Sequence, residues 1–252
     1  MIKQIVIAGI AASALATATA SAAIIDVTSV NGSWTATNPA GVTTSSANGG
    51  TNNRISWGDP ATGSWWNPGP QSGYQFDSLA PILNIAEETA FDLGTFTHFN
   101  FPIYDDGTVL NSATLEIQTQ LEIDSVSHSL TSFFNFTHNE TPNSSNPCAD
   151  GGANGSGVNI NGCADEVSFN LNAGATDSVS INGTEYFIDL LGFFTNGSLT
   201  DTFWTQEDLE NTATLRGVIT SVTSEVPEPS TFALLGLGLI GLGLRNRKRK
   251  QS

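Results

Sequence analysis

The sequence Thr97-His98-Phe99-Asn100 is the most distinctive polar motif in the interior of the chain. In an extended strand His98 and Asn100 point to one face and lie about 7 Å apart. One histidine and one amide supply neither a nucleophile nor a base oriented by a third group, so the motif predicts no catalysis. We expect Thr97, His98 and Asn100 either to be structural or to contact a ligand or partner.

Two adjacent tryptophans, Trp65 and Trp66, lie in a Gly- and Pro-rich segment that predicts a surface loop. Exposed indole rings stack on sugar rings in many carbohydrate-binding proteins, so both residues are candidate ligand contacts. The alternative is a hydrophobic plug at one end of the fold. Because neighbouring residues of a strand face opposite ways, we expect one of the two rings in the core.

Asp150, Asn154 and Asp165 offer oxygen ligands in and beside a Gly-rich segment. Calcium takes about six to eight such oxygens, which suggests a calcium site at these three residues. Their spacing is not that of an EF-hand, and a solvated loop is the alternative. No other cofactor is predicted, because the chain has no phosphate loop, dinucleotide fingerprint or metal-binding histidine pair.

The chain is strongly acidic, with a formal net charge of −16. All 24 Asp and Glu residues lie between Asp26 and Glu228, where Arg54 and Arg216 are the only Lys or Arg residues. Nucleic acids and anionic lipids bind through Lys and Arg, so no nucleic-acid partner is predicted. An acidic surface attracts divalent cations or basic partners, and the alternative is that it only keeps the protein soluble.

Period-two patterns dominate the body of the chain. Between Thr114 and Asp124, apolar residues alternate with polar and acidic ones, which predicts an antiparallel strand with one wet face. The segment 91–103 alternates in the same way, and the residues expected on one face are Phe91, Leu93, Thr95, Thr97, Phe99, Phe101 and Ile103. Further strands are predicted at 33–38, 54–58, 74–79, 130–138, 166–171 and 212–222, with a hairpin at 179–194 that turns at Asn182-Gly183.

These short strands, separated by turn signals, predict an all-β fold: an antiparallel β-sandwich with jelly-roll-like connections, forming one extracellular domain at 23–222. A barrel is the alternative. A helical turn or two is expected only near 82–89 or 206–211. Phe96-Thr97-His98 is echoed by Phe136-Thr137-His138, but no fixed repeat period accompanies the echo, which we interpret as coincidence or local symmetry.

Both ends of the chain carry hydrophobic targeting segments. Lys3, an apolar run and a stretch of small residues predict a signal peptide at 1–22. At the other end, within 223–252, the motif Pro227-Glu228-Pro229 precedes an apolar run at 231–244 and a basic tail at 245–250. Fourteen helical residues cover about 21 Å, less than a bilayer core of about 30 Å, so the predicted transmembrane span is short. A basic tail stays on the cytoplasmic side, which places the body outside the cell.

The order of Pro-Glu-Pro motif, apolar segment and basic tail resembles the PEP-CTERM sorting signal of Gram-negative bacteria. The resemblance implies that an exosortase-type membrane protease recognises Pro227, Glu228 and Pro229. It also implies that the C-terminal helix holds the chain in the membrane only until processing. The alternative is an ordinary single-span anchor that is never cut.

Four segments of the body together form a recognisable pattern: Thr97–Asn100, Ile55–Gly58, Ser72–Phe76 and Asn139–Asn143. With them, the body resembles the THxN family of PEP-CTERM proteins and is similar to the choice-of-anchor extracellular domains. That family has no assigned enzymatic activity and occurs in bacteria that make exopolysaccharide. The resemblance implies a non-enzymatic protein of the cell surface or extracellular matrix, associated with exopolysaccharide or biofilm.

Two other functions stay open from the sequence. One is a carbohydrate-binding module with a specific glycan ligand, held by Trp65 and Trp66. The other is a glycan-active hydrolase or lyase, which needs two carboxylates about 5 to 9 Å apart across a groove.

Cys148 and Cys163 are the only cysteines of the chain. An exported protein folds where thiols are oxidised, so the pair predicts a disulfide. Closing a loop of this length stabilises a fold by about 3 kcal/mol in the chain-entropy treatment. No histidine lies inside the loop, so a zinc site is not predicted there.

Overall fold

The computed structural model describes residues 23–79, 81–104, 107–170 and 177–223. The predicted signal peptide at 1–22 and the sorting motif Pro227-Glu228-Pro229 lie outside these residues. Within them, no helix has the length and apolar character needed to cross a bilayer.

The described residues form β-strands and one short 3₁₀ helix, Gly157–Asn159. The strands are β1 (Ile25–Asn38), β2 (Thr43–Ser45), β3 (Arg54–Trp57), β4 (Asp59–Pro60), β5 (Gly63–Ser64), β6 (Asn67–Pro68), β7 (Ser72–Ser78), β8 (Ile82–Ile85), β9 (Ala90–Asn100), β10 (Ile103–Tyr104), β11 (Ser112–Ile123), β12 (Val126–Asn139), β13 (Asp165–Asn170), β14 (Val179–Ile181), β15 (Thr184–Thr195), β16 (Ser198–Thr200), β17 (Thr202–Thr205) and β18 (Leu209–Thr223).

Two antiparallel sheets contain most of these strands. The first has the order β17-β13-β12-β11-β1-β8, and the second has the order β14-β15-β18-β9-β7-β3-β2, with β16 paired to β15. The all-β antiparallel class is therefore confirmed. In the first sheet β11, β12 and β13 are neighbours both in sequence and in space. These three strands form a meander.

Strand β11 shows why the sequence folds in this way. Leu115, Ile117 and Leu121 are buried, while Glu116 and Gln118 alternate with them and point outward. Its period-two pattern matches the pleat of a sheet with one dry face, so the predicted strand is confirmed.

The core lies between the two sheets and is rich in aromatic rings. Phe96 of β9 in one sheet stacks on Phe136 of β12 in the other, with ring centroids 5.5 Å apart. Phe193 of β15 and Phe203 of β17 continue the contact, 5.4 Å from each other. Trp34 packs edge-on against Phe136. We call this group, Trp34, Phe96, Phe136, Phe193 and Phe203, the aromatic layer.

One predicted face is wrong. Phe91 and Leu93 are buried in the core as expected, but further along β9 the buried inward residue is Phe96. The pairing with β18 jumps from Gly94 to Asp92, which leaves Leu93 as the extra residue of a β-bulge. A bulge shifts the alternation by one residue, so the even-numbered side chains point into the core after it.

The expected helical turns are also wrong. Residues 82–85 form strand β8, which pairs with β1, and 206–211 contains the turn between β17 and β18. Both segments contribute to sheets whose pairing outweighs the weak helical pattern.

Candidate functional site

A group of buried polar residues continues directly from the aromatic layer. On β9, β12 and β17 it begins two residues beyond Phe96, Phe136 and Phe203 on the inward face, and β13 adds a further member. Its members are His98 and Asn100 of β9, His138 of β12, Asp165 of β13, Thr205 of β17, and Glu140 and Glu207 just beyond β12 and β17. We call these seven residues the polar cluster.

The alternation of side chains places the cluster between the sheets. A strand that turns Phe96 inward also turns His98 inward, and the same holds for Phe136 and His138 on the facing sheet. The two Phe-Thr-His sequences therefore meet, with the rings of His98 and His138 5.2 Å apart and perpendicular. The echo in the sequence therefore corresponds to a contact in the fold, which favours local symmetry over coincidence.

Thr97 does not belong to the cluster. It is buried, but it lies one residue out of phase with His98, in register with Gln75 of β7 and Thr212 of β18. The structure therefore splits the motif: it brings His98 and Asn100 together and leaves Thr97 in the sheet pairing.

Thr205 determines which ring nitrogen of His98 carries the proton. The Thr205 hydroxyl donates to the backbone carbonyl of Asp165 at 3.1 Å and lies 2.8 Å from Nδ1 of His98. Because a hydroxyl has one proton to give, Nδ1 of His98 is the donor in that second bond. Nε2 then carries a lone pair, and it is buried without a hydrogen-bond partner. Burial, with His138 nearby, holds the pKa of His98 well below its usual value, so the ring is neutral.

Asn100 is held by the same threonine. Its amide nitrogen donates to the Thr205 carbonyl at 3.0 Å, which fixes the orientation of the amide. The Oδ1 atom of Asn100 is then a buried acceptor without a partner. A fully buried acceptor in this state costs about 1 to 3 kcal/mol unless something binds it.

Both ring nitrogens of His138 are already used. The Tyr74 hydroxyl lies 2.6 Å from Nδ1, and Glu140 Oε2 lies 3.1 Å from Nε2. Burial lowers the pKa of His138 to about 4, so the ring is neutral near pH 7. Burial, with the charge of Asp165 adding to it, raises the pKa of Tyr74 and keeps its hydroxyl protonated.

Three carboxyl groups meet at the centre of the cluster. Glu140, Asp165 and Glu207 each place an oxygen within 4.8 Å of the others. Burial raises the pKa of Glu140 to about 7, and burial together with the Glu140 carboxylate raises the pKa of Glu207 to about 7. The same two causes raise the pKa of Asp165 well above its ordinary value. The site therefore resists three simultaneous negative charges unless a cation joins them.

The two arginines of the body do not balance these charges. Arg54 donates to Gln75 and lies over the ring of Phe99. Arg216 forms an ion pair with Asp92 at 2.7 Å. Among the residues that the structure describes, no Lys or Arg forms a salt bridge with the three central carboxylates.

Trp57 and Tyr74 form the aromatic wall of the cluster. The Trp57 ring stacks on His98 at 5.8 Å and meets His138 edge-on at 5.1 Å. Its indole N–H is buried with no hydrogen bond within the normal distance, and it faces the Glu140 carboxylate, whose charged form it favours. The four segments that carry the family resemblance converge here, because Trp57, Tyr74, His98 and Glu140 come one from each.

The Cys148–Cys163 disulfide is present as predicted and closes a loop beside the cluster. Asn154 in the loop donates to the backbone carbonyl of Asn143, and Asn161 donates to that of Glu207. The loop thus holds the backbone from which Glu207 projects.

The predicted calcium set is not assembled. The Asp150 carboxylate accepts from Asn159 at 2.9 Å and from the Gly152 amide, two bonds that lower the pKa of Asp150. The amide nitrogen of Asn154 is used inside the loop, whereas Asp165 lies in the polar cluster. Asp165 alone of the three joins a group of potential metal ligands among the described residues.

Trp65 and Trp66 form the tip of the β5–β6 hairpin. Their exposed fractions are 89% and 75%, so the expectation that one ring is in the core is wrong. The rings lie 5.9 Å apart at a steep angle. A two-residue turn projects both side chains away from the sheets, since neither belongs to a strand that packs on the core.

The sequence assigned no role to Glu140, Glu207, His138 or Tyr74, although Tyr74 and Glu140 lie in segments that carry the family resemblance and His138 lies in the echoed Phe-Thr-His sequence. The period of two continues from Phe136 through His138 to Glu140. This pattern is the signal in the sequence that could have linked His138 with Glu140. Glu207 follows β17 in a turn, where no pattern distinguishes it from the exposed Asp208 beside it.

The arrangement suits a small ligand and excludes a polymer. Glu207, Asp165, His98 and Asn100 are fully buried, and only the Glu140 side chain retains 16% exposure. A separate, open pocket of about 710 Å³ is lined by polar residues that include Asn48, Asn52, Asp77 and Gln118. It contains one carboxylate, whereas glycan hydrolysis needs two.

Comparison with known protein families gives a match in the C-terminal tail of the chain. The family model of the PEP-CTERM protein-sorting motif matches residues 225–249. No curated protein matches the chain. The motif indicates an exported, extracellular protein that an exosortase processes at the membrane, in agreement with the prediction from Pro227, Glu228 and Pro229.

Proposed function

We propose that the exported body is a non-enzymatic component of the Gram-negative cell surface or extracellular matrix, and that it associates with exopolysaccharide through Trp65 and Trp66. The sorting motif at residues 225–249 indicates an exported protein that an exosortase handles at the membrane. The exposed tryptophan pair is the observation that carries the proposed contact.

The tryptophan tip is an unusual surface for a soluble domain. Two large rings with exposed fractions of 89% and 75% leave adjacent apolar area in water. Such area marks an interaction site, because water-exposed rings gain free energy when a partner covers them. Sugar rings present apolar faces of matching size, and the acidic body disfavours anionic lipid as the partner.

The buried position of the central carboxylates favours a role without glycan chemistry. A hydrolase needs its acid and base on either side of a chain that enters a groove. In the polar cluster the carboxylates lie behind Trp57 and the two sheets, where a polysaccharide does not reach. This supports a binding function over the hydrolase or lyase alternative.

Binding is tested by affinity electrophoresis in gels that contain exopolysaccharide extracted from the host. We expect retardation of the exported protein and a roughly tenfold weaker interaction for Trp65→Ala/Trp66→Ala, equal to about 1.4 kcal/mol. The matched control is Phe133→Ala, which removes an exposed aromatic ring from the outer face of β12. Equal migration of the double variant and the wild type would exclude the tryptophan tip as the contact.

The specific-glycan alternative makes a different prediction. A module with one defined ligand shows quenching of tryptophan fluorescence by a single purified polysaccharide and none by the others of a panel. The matrix role predicts weak responses to several acidic or neutral polymers of the host. The open pocket lined by Asn48, Asn52 and Gln118 favours the specific alternative, since amides pair well with sugar hydroxyls.

Sorting is tested by the intact mass of the extracellular protein. We expect a chain that has lost residues 1–22 and the basic tail 245–250 in cells with an exosortase. The control is a strain without that protease, in which the tail should remain. Recovery of the uncut tail from exosortase-positive cells would contradict the processing step.

A further inference from the structure

We propose that Glu140, Asp165 and Glu207 bind one calcium ion inside the polar cluster. The site is distinct from the disulfide loop around Asp150 and from the tryptophan tip. It rests on the geometry of buried atoms that lack partners, and it does not depend on the proposed polysaccharide contact.

The central observation is a surplus of buried acceptors. Five buried side-chain oxygens in or beside the cluster make no hydrogen bond within the normal distance: Oδ2 of Asp165, Oε1 and Oε2 of Glu207, and Oδ1 of Asn100 and of Asn143. The side chains of Asn143 and Asn100 approach Glu207, but their effect on its pKa is smaller than that of burial. Buried polar atoms are almost always paired in native proteins. A cation satisfies several acceptors at once, whereas a hydrogen-bond donor satisfies one.

The charges favour the same conclusion. Three carboxylates that place oxygens within 4.8 Å of each other repel strongly in a low-dielectric interior. Both arginines of the body are engaged elsewhere, so neither balances these charges. A proton or a metal ion from solution supplies the positive charge that the described Lys and Arg residues do not.

The buried atoms without hydrogen-bond partners favour a hard cation over a transition metal. His98, His138 and Asp165 form a second group of potential ligands. However, both nitrogens of His138 are already hydrogen-bonded, so that group offers only one free nitrogen, Nε2 of His98. Five free oxygens against one free nitrogen match the preference of calcium for oxygen ligands.

Distances and access are consistent with calcium. Calcium–oxygen bonds of about 2.3 to 2.6 Å place opposite ligands up to about 5 Å apart, whereas the shorter bonds of magnesium require a tighter shell. The three carboxylates, within 4.8 Å of one another, fit the wider shell. The 16% exposure of the Glu140 side chain provides the side from which the ion, and a coordinating water, reaches the centre.

The supporting bonds resemble those that orient ligands around metals. Asp165 Oδ1 accepts from the Thr141 amide at 2.7 Å, which turns Oδ2 toward the unpartnered side. Asn161 anchors the backbone of Glu207 at 3.0 Å. Partners of this kind fix ligand geometry before the ion binds.

Adjacent residues supply matched controls. Glu166 follows Asp165 on β13 and is half-buried, and Asp208 follows Glu207 and is exposed. Glu207→Gln and Asp165→Asn each remove one central charge with little change in shape. Glu166→Gln and Asp208→Asn remove the same charge from the same element outside the site.

The experiment is calcium titration of the exported protein after treatment with a chelator, by calorimetry and thermal unfolding. We expect one calcium ion per chain and a rise of roughly 5 to 10 °C in Tm at a calcium concentration about 100-fold above Kd. Glu207→Gln and Asp165→Asn should lose both effects, and the two controls should keep them. If the buried variants do not fold, Glu140→Gln, at the exposed edge of the site, is titrated in their place.

Four results would overturn the proposal. The first is an absence of calcium binding to the wild type, which would leave protons as the balancing charge. The second is binding that survives in all central variants or disappears in Asp150→Asn, which would indicate the disulfide loop. The third is equal loss in central and control variants, which would indicate general surface charge. The fourth is preferential binding of zinc.

Terbium provides a direct measure of position. Tb³⁺ occupies oxygen-lined calcium sites, and its luminescence is excited by a nearby indole ring. Trp57 contacts both histidines of the cluster, so excitation of tryptophan should sensitise bound Tb³⁺. Trp57→Phe should lower the signal several-fold, whereas Trp65→Phe, at the exposed hairpin, should leave it unchanged.

Discussion

The aromatic layer and the polar cluster share strands β9, β12 and β17, but their buried side chains differ in whether they find partners within the fold. Strand β9 supplies Phe96 to one and His98 to the other, and β17 supplies Phe203 and then Thr205. In the aromatic layer every ring finds an apolar neighbour within the fold. In the cluster the central carboxyl groups, with Asn100, leave acceptors unpaired.

The difference shows which part of the fold is stable without a bound ligand or ion. Burial of apolar rings stabilises the sandwich without help, because the hydrophobic effect needs no matching partner. Burial of carboxylates destabilises it unless a counter-charge is present. The predictions below separate these two contributions, beginning with the larger.

Phe96→Ala tests the aromatic layer. Phe96 is fully buried between Phe136 and Phe193, so its removal leaves a cavity. We expect a loss of about 3 to 5 kcal/mol in the free energy of unfolding, with or without calcium. Urea denaturation measures it. Phe133→Ala, on the outer face, should cost less than about 1 kcal/mol, and equal losses for the two variants would contradict the assignment of faces.

The double substitution Cys148→Ser/Cys163→Ser tests the brace between the loop and the cluster. Loss of the disulfide should reduce the free energy of unfolding by about 3 kcal/mol, because the unfolded chain gains freedom. It should also weaken calcium binding, since Asn154 and Asn161 reach Asn143 and Glu207 from inside the loop. Chemical denaturation and calcium titration of the same preparation separate the two effects. Unchanged calcium affinity would show that the loop does not position the ligands.

Tyr74→Phe tests the polar hydrogen bonds without altering the carboxylates. Removal of the hydroxyl leaves Nδ1 of His138 buried and unpaired, which should cost about 1 to 3 kcal/mol in thermal or urea unfolding. The ring itself still packs on Trp57 and Phe96, so the aromatic layer is unaffected. A loss as large as that of Phe96→Ala would mean that the two regions are not separable.

The sequence predicted the aromatic layer better than the cluster. The alternation of buried and exposed residues along β11 and β12 follows directly from the pleat. The all-β antiparallel class could therefore be predicted from the sequence. The face of Phe96 and His98 could not, because the bulge at Leu93 shifts the phase, and the single adjacent Gly94 was its only local signal. A one-residue shift exchanges the two faces of a strand.

The cluster depends on contacts between residues far apart in the sequence. His98 and Thr205 are separated by 107 positions, and no local pattern joins them. The Thr-His-x-Asn motif singled out His98 and Asn100, but their partners Glu140 and Glu207 appear as ordinary acids in an acidic chain. Trp65 and Trp66 were identified correctly as a loop, and only the hairpin turn decided that both are exposed.

The most direct test of the account is the thermal stability of Glu207→Gln in chelator and in calcium. In chelator above pH 7, where the pKa values of about 7 leave Glu140 and Glu207 charged, the variant should be more stable than the wild type by about 1 kcal/mol, because one repelling buried charge is gone. In saturating calcium the order should reverse, because only the wild type keeps the complete ligand set. A variant that is less stable than the wild type by the same amount in both conditions would contradict the claim that the cluster requires a cation.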